Sequence, residues 1–336
     1  MTSDDTFEQV RAWLNSCVDT HLKCAITEGL KTLPFRVLDV DTSLGLSTIR
    51  LVEGSILEEP YVCLSHCWGT TPNPSKLLKA NLNGVKQDGI AIPSLPKTFA
   101  DAVNFTRRIG FRYLWIDSLC IVQDDVEDWQ IQSAQMASIY HNSTLTVAAL
   151  HGKGHGDGLY SKSQDQALLD MSSYDIPFSI YAIKCQGYEC GHYDMERAYP
   201  GNLVSRGWVY QERILSPRVV YFGVNEVAWE CMTSFACACQ PKMAGYKEGS
   251  NWMGSSAHVK TSLAEVQPEA ELVHASNTWH EMVVKYNHLS LSFPKDKFEA
   301  LSGLVSEIWK SRPGDTYLAG LWRNTILEDL AWHRSD

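Results

Sequence analysis

The sequence predicts an α/β fold: a mainly parallel sheet flanked by helices, elaborated by insertions and a C-terminal helical cluster. Three observations carry this. Residues 113–140 (YLWIDSLCIVQDDVEDWQIQSAQMASIY) pass from a short apolar run through an acid-rich turn into apolar residues at helical spacing, Trp129, Met136, Ile139 and Tyr140. Strand and helix patterns of this kind alternate from residue 61 to residue 222, the order that gives parallel strands with crossover helices on both faces. The chain has 336 residues, 44% of them apolar, which suffices for a substantial core.

Along residues 3–22, Phe7, Val10, Leu14, Cys17 and Val18 recur at intervals of three and four, marking an amphipathic helix laid on the body of the protein. Residues 35–40 and 47–52 alternate as two strands of a hairpin, and Tyr61–Ser65 is a third strand. Thr98 is expected to cap a helix with Ala102, Val103 and Phe105 inward, stopped by Gly110. Strand 113–116, helix 128–140, strand 144–149, helix 204–215 and strand 219–222 complete the alternation. Residues 151–200, with one strand at 177–183, and the irregular residues 232–270 read as insertions. Helical patterns over 276–289, 295–309 and 316–332 form the C-terminal cluster. The expected organisation is an N-terminal helix and hairpin (1–60), the α/β core (61–231) and an irregular segment followed by helices (232–336).

A formal charge of -10 disfavours nucleic acid as a partner, while a small anion needs only a local basic pocket. The acidic start MTSDDTFEQV has no apolar segment, and no run approaches the roughly 20 apolar residues of a membrane span. A soluble, cytoplasmic protein is expected. Ten irregularly spaced cysteines do not form a secreted disulfide framework, so reduced thiols are the default.

At the carboxyl end of strand 113–116 stand Asp117, Ser118, Cys120, Gln123 and Asp124, where an open α/β sheet binds ligands. In residues 206–222 (RGWVYQERILSPRVVYF), Trp208 and Glu212 share a helix face, with Arg213 and Arg218 near enough to pair with the carboxylate. Such a pair would make the glutamate structural. Cys17, His21 and Cys24 supply three zinc-type ligands, and a fourth could come from Cys231, Cys237 or Cys239; buried thiols with no metal are the preferred reading. Ser65, His66 and Cys67 cannot act as a contacting dyad, because adjacent strand residues point to opposite faces. Cys120 is the better nucleophile candidate, although no base can be named for it. The run 152–158 (GKGHGDG) lacks the Ser/Thr of a phosphate loop and reads as a flexible connector.

Residues 61–69 (YVCLSHCWG), 95–99 (LPKTF), 112–124 (RYLWIDSLCIVQD), Met136 with Ile139 and Tyr140, and 206–213 (RGWVYQER) occur in that order, with Cys17, His21 and Cys24 before them and 300–303 (ALSG) after. This pattern resembles the fungal heterokaryon-incompatibility domain over nearly the whole chain. The resemblance implies a flavodoxin-like core similar to Toll/interleukin-1-receptor (TIR) domains, a role in nonself recognition or cell-death signalling, and a protein partner or self-association. Some TIR domains cleave the nicotinamide bond of NAD with a glutamate four residues after a tryptophan, a spacing that Trp208 and Glu212 reproduce. Glu212 is accordingly the expected catalytic residue, with NAD as substrate and no cofactor or metal required. Ser65, Trp68, Asp117, Cys120, Gln123, Arg206 and Trp208 are the expected ligand-binding residues, Trp68 stacking on a ring and Arg206 or Arg112 meeting the pyrophosphate. The chain departs from the family at Gln132, where glutamate is usual. Many members continue past the point where this chain stops, so a short or truncated member is expected. Two other readings stay open: a noncatalytic interaction module, and an enzyme of secondary metabolism using Asp117, Cys120 or His66.

Overall fold

The N-terminal helix forms where the apolar stripe lies. In this structure, a computed structural model, α1 (Asp4–Thr20) buries Phe7, Val10, Leu14 and Cys17. Val18, expected inward, is exposed: it lies at the edge of the stripe, two residues before the helix ends. The structure describes residues 4–25, 32–54, 57–71, 73–161, 166–169, 180–183, 203–224, 227–238, 255–265 and 272–331. After α2 (Leu22–Ala25), β1 (Arg36–Asp39) and β2 (Thr48–Glu53) form the expected antiparallel hairpin. Then come β3 (Tyr61–Ser65), α3 (Leu82–Gln87) and β4 (Ile90–Ala91), a short edge strand absent from the sequence reading.

Helix α4 (Lys97–Ile109) ends at Gly110, whose φ of 96° suits glycine. It starts one residue before its expected cap: Pro96 occupies the N-cap position, and Thr98 sits in the first turn, its hydroxyl accepting from Gly158 N at 3.0 Å. β5 (Tyr113–Trp115), the short α5 (Asp117–Cys120), α6 (Val126–Asn142) and β6 (Leu145–Ala148) follow the expected alternation. Asp125 caps α6 by accepting from Glu127 N and Asp128 N. β7 (Gln166–Leu169) and β8 (Ile180–Ile183) make a separate antiparallel pair; the rest of the strand expected at 177–183 falls outside the described residues. α7 (Gly207–Leu215) leads into β9 (Arg218–Phe222).

Among the described residues, nine strands make one sheet in the order β11-β10-β9-β6-β3-β5-β1-β2-β4, where β10 is Val227–Cys231 and β11 is Phe235–Cys237. Its centre, β9-β6-β3-β5, is parallel, and both flanks are antiparallel, so the sheet is mixed around a parallel core. Residues 232–270 are thus not all irregular: β11 lengthens the sheet and α8 (Ser255–Glu265) covers part of α7. The chain crosses from β3 to β5 on one side and, through α6, to β6 on the other. The switch in direction therefore falls at β3, and open α/β sheets bind ligands at the carboxyl ends around such a point.

The C-terminal part holds α9 (Leu272–Asn287), α10 (Ser302–Trp309), the hairpin β12 (Tyr317–Leu318) with β13 (Leu321–Trp322), and α11 (Ile326–Asp329). The helix expected over 316–332 gives way to this hairpin because Ala319 and Gly320 both take positive φ, 49° and 107°, the conformation of a tight turn. Trp279, Met282, Leu304, Ile308 and Trp322 pack on Tyr210, Ile214 and Leu215 of α7 in a second core. A Cβ on Gly303 would lie 2.3 Å from Ala137 Cβ, so only glycine allows α10 to approach α6 this closely.

Candidate functional site

The loops after β3 and β5 open on a cavity of ≈ 630 Å³, within the range of small-molecule sites. Trp68 and Gly69 come from the first loop, Asp117 and Gln123 from the second, Trp129 from α6, and Arg206, Trp208 and Glu212 from the start of α7. Each loop has its own supports. Arg36 of β1 binds both Cys120 O, at 2.8 Å, and the carboxylate of Asp128, which in turn accepts from Val122 N at 2.7 Å; the chain after α5 is thus tied down from two directions. The glycine run 152–158 is an ordered support, contrary to its reading as a flexible connector. Asp157 accepts from Lys153 N and Gly154 N, His155 Nδ1 contacts Trp68 O at 3.0 Å, and a Cβ on Gly69 would meet Gly154 Cα at 2.9 Å.

Glu212 lies at the inner end of the cavity and is 8% exposed. Its Oε2 accepts from Ser65 Oγ at 2.5 Å. The helix places Glu212 one turn past Trp208, and strand β3 delivers Ser65 at its carboxyl end. Burial raises the Glu212 carboxyl to about 7, and Asp117 adds to the rise; the hydrogen bond from Ser65, the charge of Arg206 and the nearby Tyr140 hydroxyl, which itself donates to Leu64 O at 3.2 Å, only partly oppose it. The group therefore changes charge near neutrality, as a carboxyl does when desolvation outweighs its polar contacts. The ion pairs considered for it from sequence do not form. Arg213 forks onto Glu230 at 2.9 and 3.0 Å, and Arg218 donates to Cys17 Sγ at 3.2 Å.

Eight of the residues singled out from sequence meet here: Trp68, Asp117, Gln123, Asp124, Arg206, Trp208 and Glu212 line the cavity, with Ser65 directly behind Glu212. Trp68 donates Nε1 to Asp117 Oδ2 at 2.7 Å, and Asp117 Oδ1 accepts from Ser118 N at 2.6 Å, so this aspartate organises both loops. Gln123 spends its amide on the carbonyls of Asp117 and Ile121, at 3.2 and 2.9 Å. Arg206 donates to His66 O at 2.9 Å, and Trp208 Nε1 to Asp296 at 3.2 Å.

Cys120 does not join them. Its thiol is buried beneath β1 and pushed up to about 12 by that burial, which removes the thiolate a nucleophile needs. Arg112 lies at the other end of β5, paired with Asp39 at 2.8 Å, and cannot meet a pyrophosphate in this cavity. Gln132 faces a separate cavity of ≈ 450 Å³ beside Pro34 and Tyr61, so a carboxylate at that position would stand away from Glu212. His66 is buried against Phe99 and, chiefly by desolvation, is lowered to about 4, leaving a neutral imidazole at pH 7.

Two features lie outside the site residues named from sequence: the Tyr140 hydroxyl near Glu212, and the turn around residues 292–296, which brings Phe293, Lys295 and Asp296 to the rim. Apolar spacing assigned Tyr140 to the core, and nothing local marks a distant turn as belonging to the site. The lining is unequally charged: Asp117, Asp124, Asp125, Asp296 and Glu212 face Arg206 and Lys295. Among the described residues, the grouping of metal-ligand types is elsewhere, at Cys17, His21, Cys24 and Cys231.

Residues 61–212 match the family model described as Heterokaryon incompatibility protein (HET). The match begins at the first residue of β3 and ends at Glu212, so it takes in three of the four parallel strands, β3, β5 and β6, and most of the cavity lining, and stops before β9. No curated protein and no solved structure matches the chain.

Proposed function

We propose, from the match of residues 61–212 to the heterokaryon-incompatibility family, that the cavity hydrolyses the N-glycosidic bond of an NAD-type dinucleotide, as an effector of fungal nonself recognition and cell death. The observation that carries the reading is Glu212: a carboxylate buried at the end of a nucleotide-sized cavity, hydrogen-bonded to the neutral hydroxyl of Ser65 and raised to about 7. A structural glutamate at such depth is ordinarily matched by a cation in contact with it. This one faces the cavity instead.

The chemistry follows from the charge. When the bond between the ribose C1′ and the nicotinamide nitrogen breaks, its electron pair stays on the ring nitrogen and cancels the pyridinium charge. The positive charge passes to the ribose as an oxocarbenium ion, which an ionised Glu212 stabilises. Water then adds to C1′ and gives its proton to Glu212, leaving ADP-ribose and nicotinamide. Ser65, as donor to Oε2, orients the carboxylate. The excess of carboxylates in the lining favours the cationic nicotinamide end of the substrate, while Arg206 and Lys295 are the groups suited to its phosphates. Trp68 and Trp208 offer faces for stacking.

The test is release of nicotinamide from NAD by the purified chain, both dilute and as an enforced oligomer. Glu212→Gln, which keeps shape and removes charge, is expected to lower turnover at least about 100-fold while substrate still binds. Equal release by wild type and Glu212→Gln, or none by either form in the oligomer, would overturn the reading. The second result would point to a noncatalytic interaction module.

A further inference from the structure

We propose that Cys17, His21, Cys24 and Cys231 form a structural zinc site that fastens the N-terminal helix to the antiparallel flank of the sheet. Their four ligand atoms lie within 4.8 Å of one another, although Cys231 is more than two hundred residues from the other three. The first three come from one compact stretch. Cys17 ends the buried stripe of α1, His21 N donates to Cys17 O at 3.1 Å, and Cys24 N donates to His21 O at 2.9 Å, which folds the chain back so that all three side chains converge. Cys231 is the last residue of β10 and lies beside Arg218 in the ladder. His21 presents Nδ1 to it at 3.3 Å from Cys231 Sγ.

Three features favour zinc over a nest of buried thiols. The donor set is three thiolates and one imidazole, a common closed set for structural zinc, whereas hard cations such as calcium and magnesium take oxygen. Donors bound at about 2.3 Å (sulfur) and 2.0–2.1 Å (nitrogen) to a tetrahedral ion stand some 3.5–3.8 Å apart, a spacing that small side-chain rotations would reach here. The surroundings are also built for thiolate. Arg218, 1% exposed, donates Nε to Cys17 Sγ at 3.2 Å; Ser234 N donates to Cys231 Sγ at 3.3 Å; and Thr233 Oγ1 lies 3.7 Å from Cys24 Sγ. A buried guanidinium aimed at sulfur is compensated by a thiolate and poorly by a thiol. Three thiolates around a divalent ion leave one negative charge, which Arg218 balances.

All four positions are filled by protein, with none left for substrate, so the site is structural rather than catalytic. It lies at the amino end of β9, opposite the end that carries the cavity, and is independent of the function proposed for Glu212.

Metal content of the full chain, expressed in zinc-supplemented medium and purified without chelators, tests the proposal. About one zinc per chain is expected, falling below about one tenth in Cys231→Ser, while Cys237→Ser, outside the cluster, keeps its metal. Cobalt in place of zinc should give thiolate-to-cobalt charge transfer with the intense visible bands of a tetrahedral site. His21→Cys should retain the metal and move those bands to lower energy, a readout that holds even if Cys231→Ser does not fold. Less than about one tenth of a zinc per wild-type chain, with all three cysteines titrating as free thiols, would overturn the site, as would equal zinc in wild type and a folded Cys231→Ser.

Discussion

Two glutamates of this protein are buried to a similar depth and shifted in opposite directions. Glu230, in β10, is fully buried; burial alone would raise its carboxyl, but Arg213 and Lys260, with the Tyr221 hydroxyl, more than offset this and hold it below its ordinary value. Glu212, on α7, meets the same burial with the Ser65 hydroxyl in contact and a cation only at longer range, and rises to about 7. The two regions differ in what surrounds a carboxylate rather than in how deep it lies. At the β9–β10 flank the counter-charge is built in and the glutamate serves the fold; in the cavity it is not, and the charge is available to a substrate.

The largest effect expected from breaking this contrast is at the paired glutamate. Arg213→Met removes the fork and leaves Glu230 buried with a lone ammonium from Lys260, so stability should fall by about 3–5 kcal/mol, read as a drop in the denaturation midpoint. A fall under about 1 kcal/mol, as for an exposed pair, would show that the fork does not hold Glu230 in place.

Glu212→Gln should act in the other direction, and with a pH dependence. The wild-type carboxyl ionises at its ordinary value near 4.5 when unfolded and at about 7 when folded. Below 4.5 both states are protonated and nothing is lost; between 4.5 and 7 the unfolded chain binds fewer protons, so stability declines as pH rises, and above 7 the full cost remains. That cost is up to about 3 kcal/mol. Since Gln does not ionise, Glu212→Gln should match wild type near pH 4 and exceed it at pH 8. Urea titrations at the two pH values measure the difference, and a variant less stable than wild type at pH 8 would contradict the assignment.

A smaller loss is expected from Asp117→Ala, which removes the acceptor of Trp68 Nε1 and of Ser118 N. Stability should drop by about 1–2 kcal/mol together with any activity. A protein that melts unchanged yet loses substrate binding would make Asp117 a direct ligand contact instead of a loop organiser.

Most of the parallel core was legible in the sequence because its strands are short apolar runs separated by helices of regular apolar spacing. The Trp208–Glu212 pair was legible for the same reason, since one helical turn is a local relation. Ser65 was named for the site as well, but its hydrogen bond to Glu212 was not legible, because the 147-residue separation is closed only by the packing of α7 against the end of β3. Cys231 could be named as one of three candidate fourth ligands and no more, since the choice depends on how β10 pairs with β9; Cys237 lies elsewhere and Cys239 falls outside the described residues. The rim residues 292–296 carried no signal at all. The Ala319–Gly320 turn had one, a glycine between short apolar pairs, which the helical spacing around it concealed.

The central claim is that Glu212 is buried without a matching counter-charge, and its own titration tests this most directly. Carboxyl resonances of the folded protein labelled with carbon-13 glutamate, assigned by comparison with Glu212→Gln, should show one group titrating near 7 that the variant lacks. A Glu212 resonance that titrates at or below the ordinary value of 4.5 would contradict the account, because the carboxylate would then be stabilised as firmly as Glu230.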